Sequence, residues 1–325
     1  GTISNTSASS GTVAYTVLPV STVNSCEGTP FTITVTIAPE PVVSDQFFTV
    51  CSTEAFGINF NASSTVAADT YNVIALDLNG LTVSAGDASI ANDLLASDLA
   101  DDAFTNTTDA PVDVIYTVVP VSTDGTAGNS FTVTVTVNPA PVVAAQSIEV
   151  CSDELLNYTL NGSENLPVSS YNLTNIEENG LLPGSGNSTV QTGYANTAIS
   201  SDTWSNTTSS AVDVIYTFVP VGNNGCEGDA FTVTVTVNPE PVGVASVETV
   251  SSDVAFDFDP QANITTGGNS IASSFTWTVS QITGTVSGVS QGDLGIGNIT
   301  GTISNTSASS GTVAYTVLPV STVNS

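Results

Sequence analysis

Lysine, arginine, histidine and methionine are absent from all 325 residues, so the 30 aspartates and glutamates carry a formal net charge of -30 with no side chain to offset it. The missing cations exclude whole classes of function. Nucleic-acid binding relies on Lys and Arg displacing counterions from phosphate, and adhesion to anionic lipid relies on polybasic segments; neither partner is expected. Most catalytic designs use His or Lys as a base, an Arg clamp or a His-activated nucleophile. This chain offers only carboxylates, hydroxyls and four thiols. A carboxylate-only glycosidase is the one catalytic design left open, and no carboxylate pair recurs in a defined setting, so the chain reads as non-enzymatic. No apolar run approaches the ~18 residues of a spanning helix, so no membrane insertion is expected. No export signal heads the sequence either, and the expectation is a window inside a longer precursor. Lys-to-Asn isopeptide bonds are impossible without lysine, which leaves cysteine as the only covalent reinforcement. Partners must be neutral, cationic or metal ions.

What is present is repetition. Residues 1–25, GTISNTSASSGTVAYTVLPVSTVNS, recur letter for letter at 301–325, a period of 300. A shorter period lies inside it: VAYTVLP, VIYTVVP and VIYTFVP place tyrosines at Tyr15, Tyr116 and Tyr216, with Tyr315 following, at intervals of 101, 100 and 99 residues. Each of the first three is followed by a polar turn and then FTITVTIAPEP, FTVTVTVNPAP or FTVTVTVNPEP. The closing Pro-x-Pro pairs, Pro39 and Pro41, Pro139 and Pro141, Pro239 and Pro241, fix φ and cannot continue a ladder. They read as stiff linkers. The chain divides into residues 1–42, the C-terminal half of one module, then 43–142, 143–242, and 243–325, which lacks its last strand.

The hydrophobic fraction is 40 %, arranged in short alternating runs that predict an all-β chain of Ig-like sandwich modules in an extended array. In the second module QSIEV, LNYTL, SYNLTNI, VDVIYTFVP and FTVTVTV read as strands. Phe231, Val233, Val235 and Val237 face the core, with Thr232, Thr234 and Thr236 outward; an ice-binding face would need many coplanar Thr ranks, and one alternating strand is the ordinary reading. A helix is expected between Asp87 and Ala103 from the spacing of Ile90, Leu94, Leu95 and Leu99, in a crossover that varies between modules. Trp277, which aligns with Val73 and Leu173, is read as a core position, and Tyr116 and Tyr216 as structural.

The cysteines occupy two module positions: after the first strand (Cys51, Cys151, with Ser251 third) and in the last hairpin turn (Cys26, Cys226, with Thr126 between). Pairing Cys151 with Cys226 inside one module strands Cys51 and Cys26, and pairing Cys26 with Cys51 also leaves two thiols over. Pairing each first-strand cysteine with the next module's hairpin joins Cys51 to Cys226, and Cys151 to the following period's counterpart of Cys26. No thiol is then left over, although with one gap in each class some offset always balances. Topology adds weight, since a sandwich's first strand ends at its C-terminal pole and its last hairpin turns at its N-terminal pole, and those poles meet only between successive modules.

Other motifs have plain readings beside them. Asp253, Asp257 and Asp259, or Asp98, Asp101 and Asp102, could offer calcium hard oxygen ligands, but neither set follows a defined loop, and no cofactor is expected. The sequons at Asn106, Asn206 and Asn263 are what chance produces in a chain rich in Asn, Ser and Thr.

VCSTEAF and VCSDELL, TNTTDAPVDVIYTVVP, GCEGDAFTVTVTVNP and SFTWTV, taken in order, resemble PKD-like, Ig-like repeats of giant Bacteroidota cell-surface adhesins, and the likeness covers all three modules. The resemblance implies export by the type IX secretion system, an extracellular location at the bacterial cell surface, and a stalk or filament role in surface attachment or gliding. Neighbouring repeats of the same chain would be the main partners, with an extracellular surface or polysaccharide beyond them. A repetitive carbohydrate- or surface-binding array and a surface-layer or sheath protein are the alternatives. Thr126 and Ser251 depart from the family's cysteine pattern.

Overall fold

The computed structural model describes residues 2–58, 60, 66–289, 292–295 and 297–322. The residues gather into two compact units: Gly1–Val142 with Ser163–Ser169 and Val221–Asp229, and Val143–Gly162 with Ser170–Pro220 and Ala230–Ser325.

In the first unit, residues 43–142 form a four-stranded sheet in the order Gln46–Cys51, Phe131–Asn138, Val112–Val121, Thr70–Asp77. The two long strands are an antiparallel hairpin that pairs Tyr116 with Val133 and Val112 with Val137. Their strict alternation puts Val114, Tyr116, Val118, Val133, Val135 and Val137 on one buried face. Each fully buried valine is worth roughly 1.5–3 kcal/mol relative to exposure, so this face fixes the register. The first strand joins the last in parallel and ends with Cys51 opposite Asn138, which sets the thiol at the same pole as the outgoing Pro139. Phe56, Ile58, Phe60, Leu81, Leu99 and Phe104 cover the sheet from the other side.

Residues 143–242 form a five-stranded sheet in the order Gln191–Tyr194, Val168–Glu177, Val212–Gly222, Phe231–Asn238, Gln146–Cys151. Phe231, Val233, Val235 and Val237 are buried and the three intervening threonines half-buried. Residues 243–322 form smaller sheets around Ser273–Thr283, which pairs with Thr312–Ser321 and Gly292–Gly295.

Three expectations need correction. LNYTL is not a strand. Asn157 has φ 46°, and Leu156, Asn157 and Leu160 bond the carbonyls of Asp202, Ser200 and Asn196, a spacing no ladder has; Leu156 and Leu160 are buried all the same. The helix near residue 90 is one turn, Ala96–Ala100. The backbone before it is used elsewhere: Tyr71 and Leu94 exchange both hydrogen bonds and Val73 bonds the Ala91 carbonyl, so this stretch covers the sheet edge as Gln191–Tyr194 does in the second repeat. Ile90 and Leu95 consequently stand exposed while Leu99 is buried. Trp277 is half-buried rather than core, although Val73 and Leu173, with which it aligns, are 1 % exposed; among the described residues no strand pairs with the far side of Thr312–Ser321. The hairpin of Gly11–Val17 and Phe31–Ile37 likewise exposes Tyr15, Phe31, Ile33 and Val35, positions that are buried where a whole sandwich surrounds them.

Pro260–Gly267 forms a helix that the alternating apolar pattern does not predict. Its signal is local: the Asp259 carboxylate caps the backbone N–H of Gln261 and Ala262, and Pro260 takes the first helical position, where a missing N–H costs nothing.

Candidate functional site at the joints between repeats

A turn of one kind follows the strands Gln46–Cys51 and Gln146–Cys151 and recurs at 251–253, where no strand precedes it. Thr53, Asp153 and Asp253 have φ of 67°, 63° and 62°, and Ser52, Ser152 and Ser252 accept the backbone N–H of Asn106, Asn206 and Asn305 at 2.9 Å. Those asparagines form a second recurring motif. Asn106 donates its amide to the carbonyls of Ala110 (3.0 Å) and Val137 (2.7 Å) and accepts from Thr108 through both N–H and hydroxyl. Asn206 does the same with Ser210, Val237 and Thr208. Both are buried. The sequons at 106 and 206 are therefore turn-forming groups that tie the hairpin's last carbonyl to the loop before it.

In the first unit this pole meets residues 163–169 and 221–229. Asn165 donates to the carbonyls of Ala140 (2.9 Å) and Thr108 (3.2 Å), and its amide oxygen accepts the Val142 N–H at 3.0 Å. Glu164 N–H bonds the Val142 carbonyl at 2.9 Å. Asn224, in the hairpin turn, donates to the Pro139 carbonyl at 2.8 Å and accepts the Cys226 N–H at 3.1 Å. Beside these contacts a disulfide joins Cys51 to Cys226, with Cα atoms 5.5 Å apart and 175 residues between them in sequence. Cys26 and Cys151 are free and exposed. At the joint before the first repeat, Gly128 of the hairpin turn lies against the linker so closely that a Cβ would stand 2.0 Å from the Pro41 carbonyl oxygen.

In the second unit Asn269 repeats the Asn165 arrangement. It donates to the carbonyls of Glu240 (2.6 Å), Thr208 (2.9 Å) and Thr207 (3.2 Å) and accepts the Val242 N–H at 3.0 Å. Burial holds the Glu240 carboxyl above its usual range, and the nearby charge of Asp153 pushes the same way.

A model of the PKD-like domain matches residues 1–41, 48–141, 148–241 and 248–324. The chain belongs to the PKD-like domain family. It is a mostly β chain of tandem PKD-like repeats. No curated protein matches it. Among solved structures, the fibronectin(III)-like modules of Clostridium thermocellum CbhA share 13 % identity over 64 % of this chain and 96 % of that one, with a TM-score of 0.24. Mouse clustered PcdhgC3 EC1-3 shares 13 % identity over 71 % and 77 %, with a TM-score of 0.19. Bacteroides ovatus SGBP-B, solved with a mixed-linkage heptasaccharide, shares 14 % over 93 % and 87 %, with a TM-score of 0.20. Likenesses this weak carry no argument about activity or ligand.

Within the PKD-like repeats the aspartates that could have offered calcium ligands have separate partners. Asp98 accepts the Leu95 N–H at 2.9 Å, Asp257 accepts from Asn298 at 2.7 Å, Asp253 accepts from the Ser252 hydroxyl at 3.1 Å, and Asp259 caps its helix. Among the described residues no three such side chains converge as metal ligands would. Asp102 is buried and accepts the Tyr116 hydroxyl at 2.6 Å; its Oδ1 has no hydrogen-bond partner. Burial pushes its carboxyl up to about 6, opposed by the Tyr116 bond and reinforced by the charges of Asp101 and Asp87. The second repeat completes the same site: Tyr216 donates to Asp202 at 2.8 Å, Trp204 donates to the Tyr216 hydroxyl at 2.8 Å, and Ser188 gives Asp202 Oδ1 both its N–H and its hydroxyl. Burial raises both tyrosines far above their usual range.

Proposed function

We propose that this chain is a structural stalk segment of a long, repetitive bacterial cell-surface adhesin that serves surface attachment or gliding motility. The observation that carries the reading is the recurrence of one joint. Asn165 and Asn269 bind the same three kinds of group on the repeat before them, so the sequence invests its polar side chains in connecting repeats. Disulfides persist in oxidising compartments, and a bond between Cys51 and Cys226 supports an extracellular location; no helix among the described residues is long and apolar enough to cross a membrane. The reading assigns no catalysis and no cofactor. Its partners are the neighbouring repeats cut at 42, 142 and 242, and a surface or polysaccharide beyond them.

Small-angle scattering of the chain tests this. At about 3.3 Å per residue along strands of ten residues, plus linkers, three repeats reach on the order of 120 Å. A longest dimension near that value is expected, and a compact particle overturns the proposal. One observation favours a second reading, a polysaccharide-binding array: the edge-covering segments 86–103 and 186–203 differ, one with a helical turn and the other with a short strand. Glycan binding lost when 186–203 is exchanged for 86–103 would support it.

A further inference from the structure

Cys151 is a free thiol, yet its backbone setting copies that of Cys51. It ends the first strand of its repeat opposite Asn238 as Cys51 does opposite Asn138. Ser152 N–H then bonds the Asn238 carbonyl at 2.9 Å as Ser52 N–H bonds that of Asn138 at 2.8 Å. Cys26 in turn copies Cys226. Its carbonyl accepts the Ser21 N–H at 2.9 Å as that of Cys226 accepts the Gly222 N–H at 2.8 Å, and its N–H meets Asn24 as that of Cys226 meets Asn224.

The residue two before the cysteine supplies an independent sign. Asn224 donates to the linker carbonyl of Pro139, and an asparagine stands at this place only where a cysteine follows, as Asn24-x-Cys26 and Asn224-x-Cys226. The first repeat has Asp124-x-Thr126. Asp124 still accepts the Thr126 N–H, but a carboxylate has no hydrogen to give a linker carbonyl. The hairpins therefore come in two kinds, one equipped with both contacts and one with neither.

Spacing closes the case. Cys151 lies 125 residues after Cys26, so a period of 300 leaves 175 residues from Cys151 to the next copy of Cys26, the separation of Cys51 and Cys226. The Asn269 contacts show that the third repeat engages the second through the same groups that the second uses on the first.

We propose that Cys151 forms a disulfide with the Cys26 position of the following period, so that each period is a block of three repeats joined by two bonds, followed by one joint without a bond. The unbonded joint is where Ser251 faces the hairpin position of Thr126. This rests on the array reading and names the partner of its free thiols. The two thiols lose two protons and two electrons to a disulfide of the oxidising compartment, through a mixed-disulfide intermediate.

The test is a chain extended by one further period, alkylated in the native state and digested without reductant at glutamates, since trypsin has no site. The expected product links the Cys151 peptide to the second copy of the Cys26 peptide, alongside the Cys51–Cys226 pair. In Cys151→Ser that second Cys26 copy should become alkylated. Quantitative alkylation of Cys151 in the extended chain, or its linkage to Cys226, overturns the proposal. Scattering on the same sample separates the two ideas: an extended particle with a free Cys151 sinks the bond and leaves the array standing.

Discussion

Asn165 and Asn269 lie in different repeats and make one set of bonds, each donating its amide to carbonyls at the two ends of the pole before it and accepting the N–H of the residue after Pro141 or Pro241. Truncating either side chain takes the amide donor away from the linker and turn carbonyls it bonds. Asn269→Ala should cost about 1–3 kcal/mol and speed hydrogen exchange at the Val242 amide, whereas in Asn165→Ala the Val142 N–H keeps the Ser163 hydroxyl at 2.9 Å and its exchange should change less. Unchanged protection at Val242 would show that the prolines alone set the joint.

Asn106 and Asn206 each bond two carbonyls with one amide, and that of Val137 or Val237 is buried. Replacing either with Asp removes both donors and brings two acceptors together, and a loss of at least about 2 kcal/mol is expected in chemical unfolding. Chain folded before exposure to an oligosaccharyltransferase should carry no glycan at either residue by intact-mass measurement.

The carboxyl of Asp102 titrates near 6, above its ordinary 3.8, so the folded state holds that proton more tightly than the unfolded chain does. Its contribution to stability is greatest below about 3.8 and falls as the pH rises through about 6. Asp102→Asn keeps an acceptor for Tyr116 and cannot ionise. The difference in melting temperature between variant and parent should swing in the variant's favour between about pH 4 and pH 7, and a constant difference would remove Asp102 as the cause.

Trp204, Tyr216 and Asp202 form a buried chain of hydrogen bonds. Tyr216→Phe leaves the indole N–H and one carboxylate oxygen without their partner, whereas Trp204→Phe removes the donor with its ring and leaves Tyr216 bonded to Asp202. Tyr216→Phe should therefore lose about 1–3 kcal/mol through unpaired groups. Trp204→Phe should lose stability through the cavity it opens, and an added small apolar ligand should recover part of that loss alone.

The parts of this fold that can be read from sequence are those where one physical pattern acts over a short stretch. FTVTVTVN alternates because one face is buried and the other is not, and its register follows. LNYTL alternates too, but Asn157 takes a left-handed φ and the backbone bonds a turn instead of a strand; nothing in five residues distinguishes the two. The Leu94 spacing suits a helix, yet the backbone there is taken by Tyr71, a tertiary choice made 23 residues away. Asn165 is illegible alone because its partners are carbonyls set by another repeat. Asn106 could have been found, since an Asn stands ten residues before each tyrosine, at 5, 106, 206 and 305, a regularity that chance sequons would not keep. The cysteine positions could be derived because poles and strand ends follow from topology.

The turn shared by Thr53, Asp153 and Asp253 has one further implication. Its three copies share a left-handed backbone, but two carry Asp and one carries Thr53, a β-branched residue poorly suited to positive φ. The array thus holds its own consensus, and the odd residue marks where stability was left unclaimed. Thr53→Asp, a change the protein has already accepted twice, should raise the melting temperature of the first repeat by the equivalent of about 1 kcal/mol, and every place where two repeats agree against a third can be mined in the same way for a tougher thread.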